Sequence, residues 1–308
     1  MSIYKPDVYE QYPDFEHGHM FPSKIKQEFV YDDKFEYRVT SKIRKFKRFF
    51  VELILNFIAP ILVFFRFNPH ITNKKVFKEH KDEIKNGLMT ISNHVFPWDN
   101  VVLRTLRPFK RMEMPIWKEG AESTSGEMYR LAGGIPVPFT MRGLYHLMNA
   151  MDEVIKDKGW LHVYPEAACW EYYCPIRDFK EGSFKIAVDN KIPVFPIAFS
   201  FRKATGIFKL WKKNHPLINI SIGEPLYANE KLEEKEAIKD LCSRVKEQVI
   251  LLAGFSSVEE NEQFKKQYKY YKYTNPYNEQ YNALRNKTSN EILYWYYLKH
   301  FSQLFQNI

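Results

Sequence analysis

The rhythm of apolar and polar positions changes near residue 70. Before that point, residues 49–67 read FFVELILNFIAPILVFFRF, the most apolar stretch of the chain. Such a run could nearly cross a bilayer, which needs about 20 apolar residues. Glu52 and Asn56 interrupt it, and Pro60 removes a backbone donor. Charge at mid-bilayer is costly, so the pattern predicts a kinked helix lying in one leaflet. Lys42, Arg44, Lys45, Lys47 and Arg48 precede it, placed to meet anionic headgroups. The alternative is a helix buried in a soluble core.

After Asn68-Pro69 short apolar runs alternate with amphipathic segments. Strands are predicted at 88–92 (LMTIS), 160–164 (WLHVY), 193–200 (PVFPIAFS) and 217–222 (LINISI). Pro196 inside the third predicts a sheet edge or a bulge. Helices are predicted from about 101, over 143–158 and 184–189, and over 229–252, the second and fourth with apolar residues at helical spacing. This alternation predicts an α/β fold, a mixed and mostly parallel sheet flanked by helices. Residues 1–40 read as an irregular lead-in, 41–70 as the membrane-associating helical segment and 71–255 as one domain. From 256 to 308 the composition turns to Tyr, Lys, Asn and Gln, an aromatic and polar appendage.

Composition narrows the function only a little. The 308 residues are 45% hydrophobic, enough for one sizeable core, and the formal net charge of +9 suits an acidic partner. Cys169, Cys174 and Cys242 are too few for a disulfide scaffold, and no second Cys/His pair completes a zinc site. Aromatic residues among cations at 264–273 have the texture of a base-stacking surface, but no nucleic-acid module signature accompanies them, so no nucleic-acid partner is expected. The absence of a G-x-S-x-G elbow argues against a serine hydrolase.

The residues able to do chemistry cluster at strand ends. The first strand runs into Asn93-His94-Val95-Phe96-Pro97-Trp98-Asp99. Histidine accepts a proton near neutral pH, and works better when a carboxylate fixes its tautomer and stabilises the imidazolium. Of the nine histidines only His94 has an aspartate five positions later. The alternative is a capping aspartate beside a loop histidine. A second strand ends in Tyr164-Pro165-Glu166, whose glutamate can orient a substrate or a neighbouring loop. A third piece, Phe179-Lys180-Glu181-Gly182-Ser183-Phe184-Lys185, places a glycine where close approach is possible and cations at a helix start. Lys118, Arg142 and Arg177 are further candidate anion ligands.

Together these pieces resemble the 1-acylglycerol-3-phosphate acyltransferase family (PlsC-type). Asn93, His94 and Asp99 match its N-H-x-x-x-x-D motif, and Tyr164-Pro165-Glu166-Ala167 is similar to its F-P-E-G. Phe179, Lys180, Gly182, Phe184 and Ala187 match F-K-x-G-x-F-x-x-A. Segment 192–197 (IPVFPI) is similar to V-P-V-x-P-V, and Gly223-Glu224-Pro225-Leu226 matches G-E-P-L. The resemblance covers about 74–252 and implies a single acyltransferase domain on the cytoplasmic face of a membrane, peripheral or monotopic. It implies His94, Asp99 and Glu166 as catalytic residues, and Asn93, Lys118, Arg142, Arg177, Lys180, Gly182 and Lys185 as candidate substrate ligands. No metal or cofactor is expected; acyl-CoA or acyl-carrier protein is the donor and a lysolipid the acceptor, with backbone amides around 165–170 facing the oxyanion. Two departures bear on the acceptor. Ala167-Ala168-Cys169 stand where the family has G-T-R, and 133–139 (GGIPVPF) lacks the Asp-Arg that ends G-x-I-F-I-D-R. Those arginines are associated with the acceptor phosphate. The resemblance therefore implies acylation of lysophosphatidate, or of a different acceptor lipid, or an inactive lipid-binding relative.

Overall fold

A strand with no polar alternation must be covered on both faces, and Leu88–Ser92 is buried at every position. It is β2 of a seven-stranded sheet in the computed structural model, which describes residues 3–5, 12–13, 20, 25–138, 140–212 and 216–271. The strands are β1 (His70–Thr72), β2 (Leu88–Ser92), β3 (Met112–Trp117), β4 (Gly134–Val137), β5 (Trp160–Val163), β6 (Val194–Arg202) and β7 (Leu217–Ile222). Their order across the sheet is β1-β7-β6-β2-β5-β3-β4. All neighbours run parallel except β6 and β7. The mostly parallel mixed sheet is therefore as predicted.

Helices Asp99–Arg104 (α2), Met141–Lys156 (α3), Phe184–Asp189 (α4) and Glu234–Leu252 (α5) flank it. Leu147, Met151, Val154 and Ile155 are buried on α3, and Leu241, Val245 and Val249 on α5. Packing does not stop at residue 255. Phe264 and Tyr268 are buried, and Asn261 exchanges two hydrogen bonds with the Ile176 backbone. Of the predicted appendage 256–308, residues 272–308 lie outside the described residues.

Pro196 required a correction. It sits in an interior strand, between β2 and β7, not at an edge. The predicted bulge is present on the partner: Val194 bridges Leu226, whereas Ile197 pairs with Ile222. Three residues, 223–225, thus face the two residues 195–196, and the Pro196 carbonyl accepts the Gly223 N–H at 2.8 Å. The ladder slips where the missing N–H would otherwise leave a gap.

Residues Lys42–Phe67 form one 26-residue helix, α1, long and apolar enough to cross a membrane. Its middle, Ile54–Ile58, is a π-helical turn just before Pro60. Buried positions along it are Arg48, Val51, Ala59, Val63 and Phe67. From Val51 onward these positions fall at multiples of four, a spacing that drifts around a straight α-helix, and the wider π turn between Val51 and Ala59 brings the stripe back onto the domain. The polar interruptions face inward too. Glu52 bonds Arg48 at 3.2 Å, and Asn56 Oδ1 accepts the Phe109 N–H at 2.8 Å. The opposite face is apolar and exposed, through Ile43, Phe46, Phe50, Phe57, Ile61 and Phe65. Of the five cations expected to meet headgroups, two turn inward. Arg44 pairs with Glu36 and Glu127, and Arg48 with Glu52 and Glu113.

Candidate active site

The site lies where β2 and β5 end, the edge at which ligands bind in open α/β sheets. Its floor is a buried polar chain. Trp160 Nε1–H donates to Thr90 Oγ1 at 2.8 Å, and Thr90 lies 2.7 Å from His162 Nδ1. His162 Nε2 lies 3.3 Å from Ser92 Oγ, which donates to the Asn93 carbonyl at 3.0 Å. Burial holds the pKa of His162 well below the usual range. A neutral ring with its proton on Nε2 satisfies every member of the chain. Asn93 then clamps β2 to β6: its amide donates to the Phe199 carbonyl at 2.9 Å and accepts the Phe199 N–H at 2.8 Å. Asn93 is fully buried, and both ends of its amide are engaged in this clamp.

The clamp delivers His94 to the surface. Its Nδ1 lies 2.6 Å from Asp99 Oδ2, with the side chains 23% and 1% exposed. A carboxylate only accepts, so Nδ1 carries the proton and Nε2 presents its lone pair. Among the described residues nothing bonds Nε2. The other Asp99 oxygen, Oδ1, accepts from the Tyr164 hydroxyl at 2.8 Å. The Tyr164 ring stacks on the imidazole, with centroids 4.1 Å apart and planes at 17°. Burial and the Asp99 charge hold the Tyr164 pKa well above its usual value, so the phenol remains a donor. Tyr164 was not among the expected site residues. The signal was the tyrosine standing where the family motif has phenylalanine.

Glu166 is buried and faces the backbone of the His94 loop. Its Oε2 accepts the His94 N–H at 2.9 Å and Arg177 Nη2 at 2.9 Å, and Oε1 accepts the Arg177 N–H at 2.8 Å. Of its two expected uses, orienting a loop is the one with contacts. Arg177, 1% exposed, also bonds the Ala168 carbonyl and lies over the Trp170 ring at 4.3 Å. These contacts make it a strut of the Glu166 turn. Between them, Ala167 has φ +65°, a left-handed conformation that favours glycine. The glycine of F-P-E-G therefore has a backbone reason, and alanine here is strained.

The other candidate cations scatter. Lys118 pairs with buried Glu122 at 2.6 Å, after β3 and two strands from β2. Arg142 bonds Asp33 Oδ1 at 3.1 Å, after β4 and three strands away. At about 4.8 Å per strand these lie roughly 10 and 14 Å from β2. Lys185 is held by Asp189 and Glu234. Lys180 is exposed and, among the described residues, has no acidic partner. Its backbone N–H donates to the Pro165 carbonyl at 2.9 Å, which ties it to the Tyr164–Glu166 turn. Gly182 faces open space, with nothing within 4 Å of an added Cβ. No packing demand within the fold accounts for glycine there.

Residues 69–200, spanning His94, Asp99, Tyr164, Glu166 and Lys180, match the family model described as Acyltransferase. The chain carries an acyltransferase domain. No curated protein matches the chain. Among solved structures, the crystal structure of the 1-acyl-sn-glycerophosphate (LPA) acyltransferase PlsC from Thermotoga maritima is similar. It is 16% identical over 67% of this chain and 81% of its own, with a TM-score of 0.41. Within the acyltransferase domain the His94 loop abuts the end of the apolar helix. Phe67 packs on Phe96 at 5.1 Å and on Trp98 at 6.4 Å between centroids. Among the described residues no group of three or more His, Cys, Asp or Glu side chains converges as a metal site.

Proposed function

We propose that this acyltransferase moves a fatty acyl group from the thioester of acyl-CoA or acyl-carrier protein to the hydroxyl of a lysolipid, with lysophosphatidate as the leading acceptor. The observation that carries the reading is the His94–Asp99 bond, with Nε2 free and the ring at the surface. Nε2 takes the proton of the acceptor hydroxyl as its oxygen attacks the thioester carbonyl. The C–S bond then breaks, and the imidazolium returns the proton to the departing thiolate. Asp99 stabilises the cationic ring between the two transfers. The amides of Ala168 and Cys169, without partners among the described residues, are candidate donors to the oxyanion. Glu166 acts through the His94 loop and is a positioning residue.

Lys180 is the candidate ligand for the acceptor headgroup, because the other expected cations already have partners. That engagement also favours a second reading, acylation of a lysolipid without a phosphomonoester. Mass spectrometry of products from purified protein, both donors and a panel of lysolipids decides between them. Diacyl product from lysophosphatidate is expected. Product only from acceptors lacking a phosphomonoester would select the second reading, and none from any pairing would overturn acyl transfer.

The exposed face of α1 supports attachment to a membrane from one side, since its other face is fixed along the domain; the cytoplasmic face is the side proposed, because acyl-CoA and acyl-carrier protein are the proposed donors. Removing 42–67 would strip Val63 and Phe67 from the core, so substitutions on the exposed face are the cleaner test. Phe57→Asp with Ile61→Asp is expected to release the folded protein from vesicles in a flotation assay; undiminished binding would contradict the attachment.

Tyr164→Phe keeps the stack on His94 and removes the hydrogen bond to Asp99. Among the described residues the carboxylate is then held by His94 alone and is free to turn away from the imidazole. kcat is expected to fall about three- to tenfold, the worth of one hydrogen bond of about 1 kcal/mol. An unchanged kcat would show the hydroxyl to be irrelevant to the base.

A further inference from the structure

A cavity of about 650 Å³ opens at the opposite edge of the sheet from His94, where β3 and β5 begin at Met112 and Trp160. Seven cations line it against two carboxylates, Glu113 and Asp157. Both carboxylates are already committed. Arg38, Arg48 and Arg111 converge on Glu113, and Arg38 also holds Asp157 at 2.8 Å. Arg107 has no acidic partner among the described residues. Its guanidinium lies near the rings of Phe77 and Trp160, 5.7 and 6.0 Å from their centroids. A half-buried guanidinium beside two aromatic rings, its charged form disfavoured by burial and met by no carboxylate among the described residues, is a cation without a counter-charge.

The rim identifies what neutralises it. Arg107, Lys110 and Arg111 sit on a loop whose tip, Phe109, is 68% exposed and has φ +63°. The Phe109 ring is 5.5 Å from Phe57 on the exposed apolar face of α1. Apolar surface for acyl chains and a cationic cleft for phosphate are therefore continuous, as at a lipid interface. We infer that this cleft seats the phosphate headgroup of an anionic membrane phospholipid, apart from the reaction at the other end of the strands. The inference does not depend on the acyl-transfer reading.

The test is co-flotation of the full chain with phosphatidylcholine vesicles, with and without phosphatidylglycerol. Arg107→Gln with Lys110→Gln is expected to weaken binding to the anionic vesicles by tenfold or more, from about fivefold per cation. Binding to neutral vesicles should be unchanged. Lys42→Gln with Lys45→Gln, an equal loss of charge on the exposed start of α1, should cost clearly less. Equal losses in the two pairs would reduce the cleft to diffuse surface charge and overturn the inference. Protection from unfolding by inorganic phosphate, with vesicle binding unaffected by the cleft variant, would assign a soluble anion instead and also overturn it. So would loss of binding to an acidic carrier protein with vesicle binding intact. If Arg107→Gln fails to fold, Lys110→Glu on the exposed loop carries the same comparison.

Discussion

His94→Ala is expected to reduce acyl transfer to background while the protein melts as the parent does, and Asp99→Asn to lower turnover by about ten-thousandfold. The two parts of the first expectation rest on different contacts. The loop is held by its main chain: the His94 N–H on Glu166, the His94 carbonyl on the Trp170 N–H at 3.1 Å, and the Val95 carbonyl on the Tyr172 N–H at 2.8 Å. The imidazole contributes its bond to Asp99 and its stack on Tyr164, so alanine removes the base and spares the scaffold. Asparagine at 99 can still accept from the Tyr164 hydroxyl, but it turns an amide toward His94 Nδ1 and favours the wrong tautomer. Turnover by radiolabelled acyl transfer, with a melting curve for each variant, checks both. A His94→Ala protein that turns over like the parent would remove His94 from the chemistry.

The sequence disclosed most where one physical demand dominated. LMTIS and LINISI are buried strands with the predicted bounds, and FKIAVD is the predicted short helix. Met112–Trp117 and Gly134–Val137 were missed. MEMPIW and GIPV carry Pro115 and Pro136 and show no alternation; Pro136 lies in the edge strand β4, and Pro115 in the half of β3 that pairs with β4 alone, where a missing N–H is tolerated. The His94–Asp99 meeting was legible because five positions and a helix start at Asp99 determine it locally. Which cation stands free was not legible. Lys118, Arg142, Arg177 and Lys185 are each neutralised by a carboxylate between 4 and 109 positions away, and only the folded chain pairs them. Tyr164 escaped for a related reason: one added hydroxyl has meaning only beside the aspartate it reaches, 65 positions earlier.

Glu166→Gln is expected to lower stability and rate together, in a way that replacing Arg177 as well partly reverses. Both oxygens of Glu166 face donors, the His94 and Arg177 amides and the Arg177 guanidinium. A glutamine must turn its own NH₂ group toward one of them, and it leaves a guanidinium 1% exposed without its counter-charge. Breaking one side of a buried ion pair costs about 3–5 kcal/mol. In a chain of this size that lowers the melting temperature by on the order of 10 °C. The His94 loop loosens with it, so turnover falls even at temperatures where the variant is folded. The further change Arg177→Met removes the stranded charge and lets the amide choose one orientation, with its oxygen toward the His94 N–H. Stability and turnover should therefore both recover part-way, with a coupling between the two positions that a double-mutant cycle reads directly. Additive losses at Glu166 and Arg177 would mean that each acts alone and that the pair does not hold the loop. A single Glu166→Gln variant with unchanged melting and rate would remove Glu166 from the site.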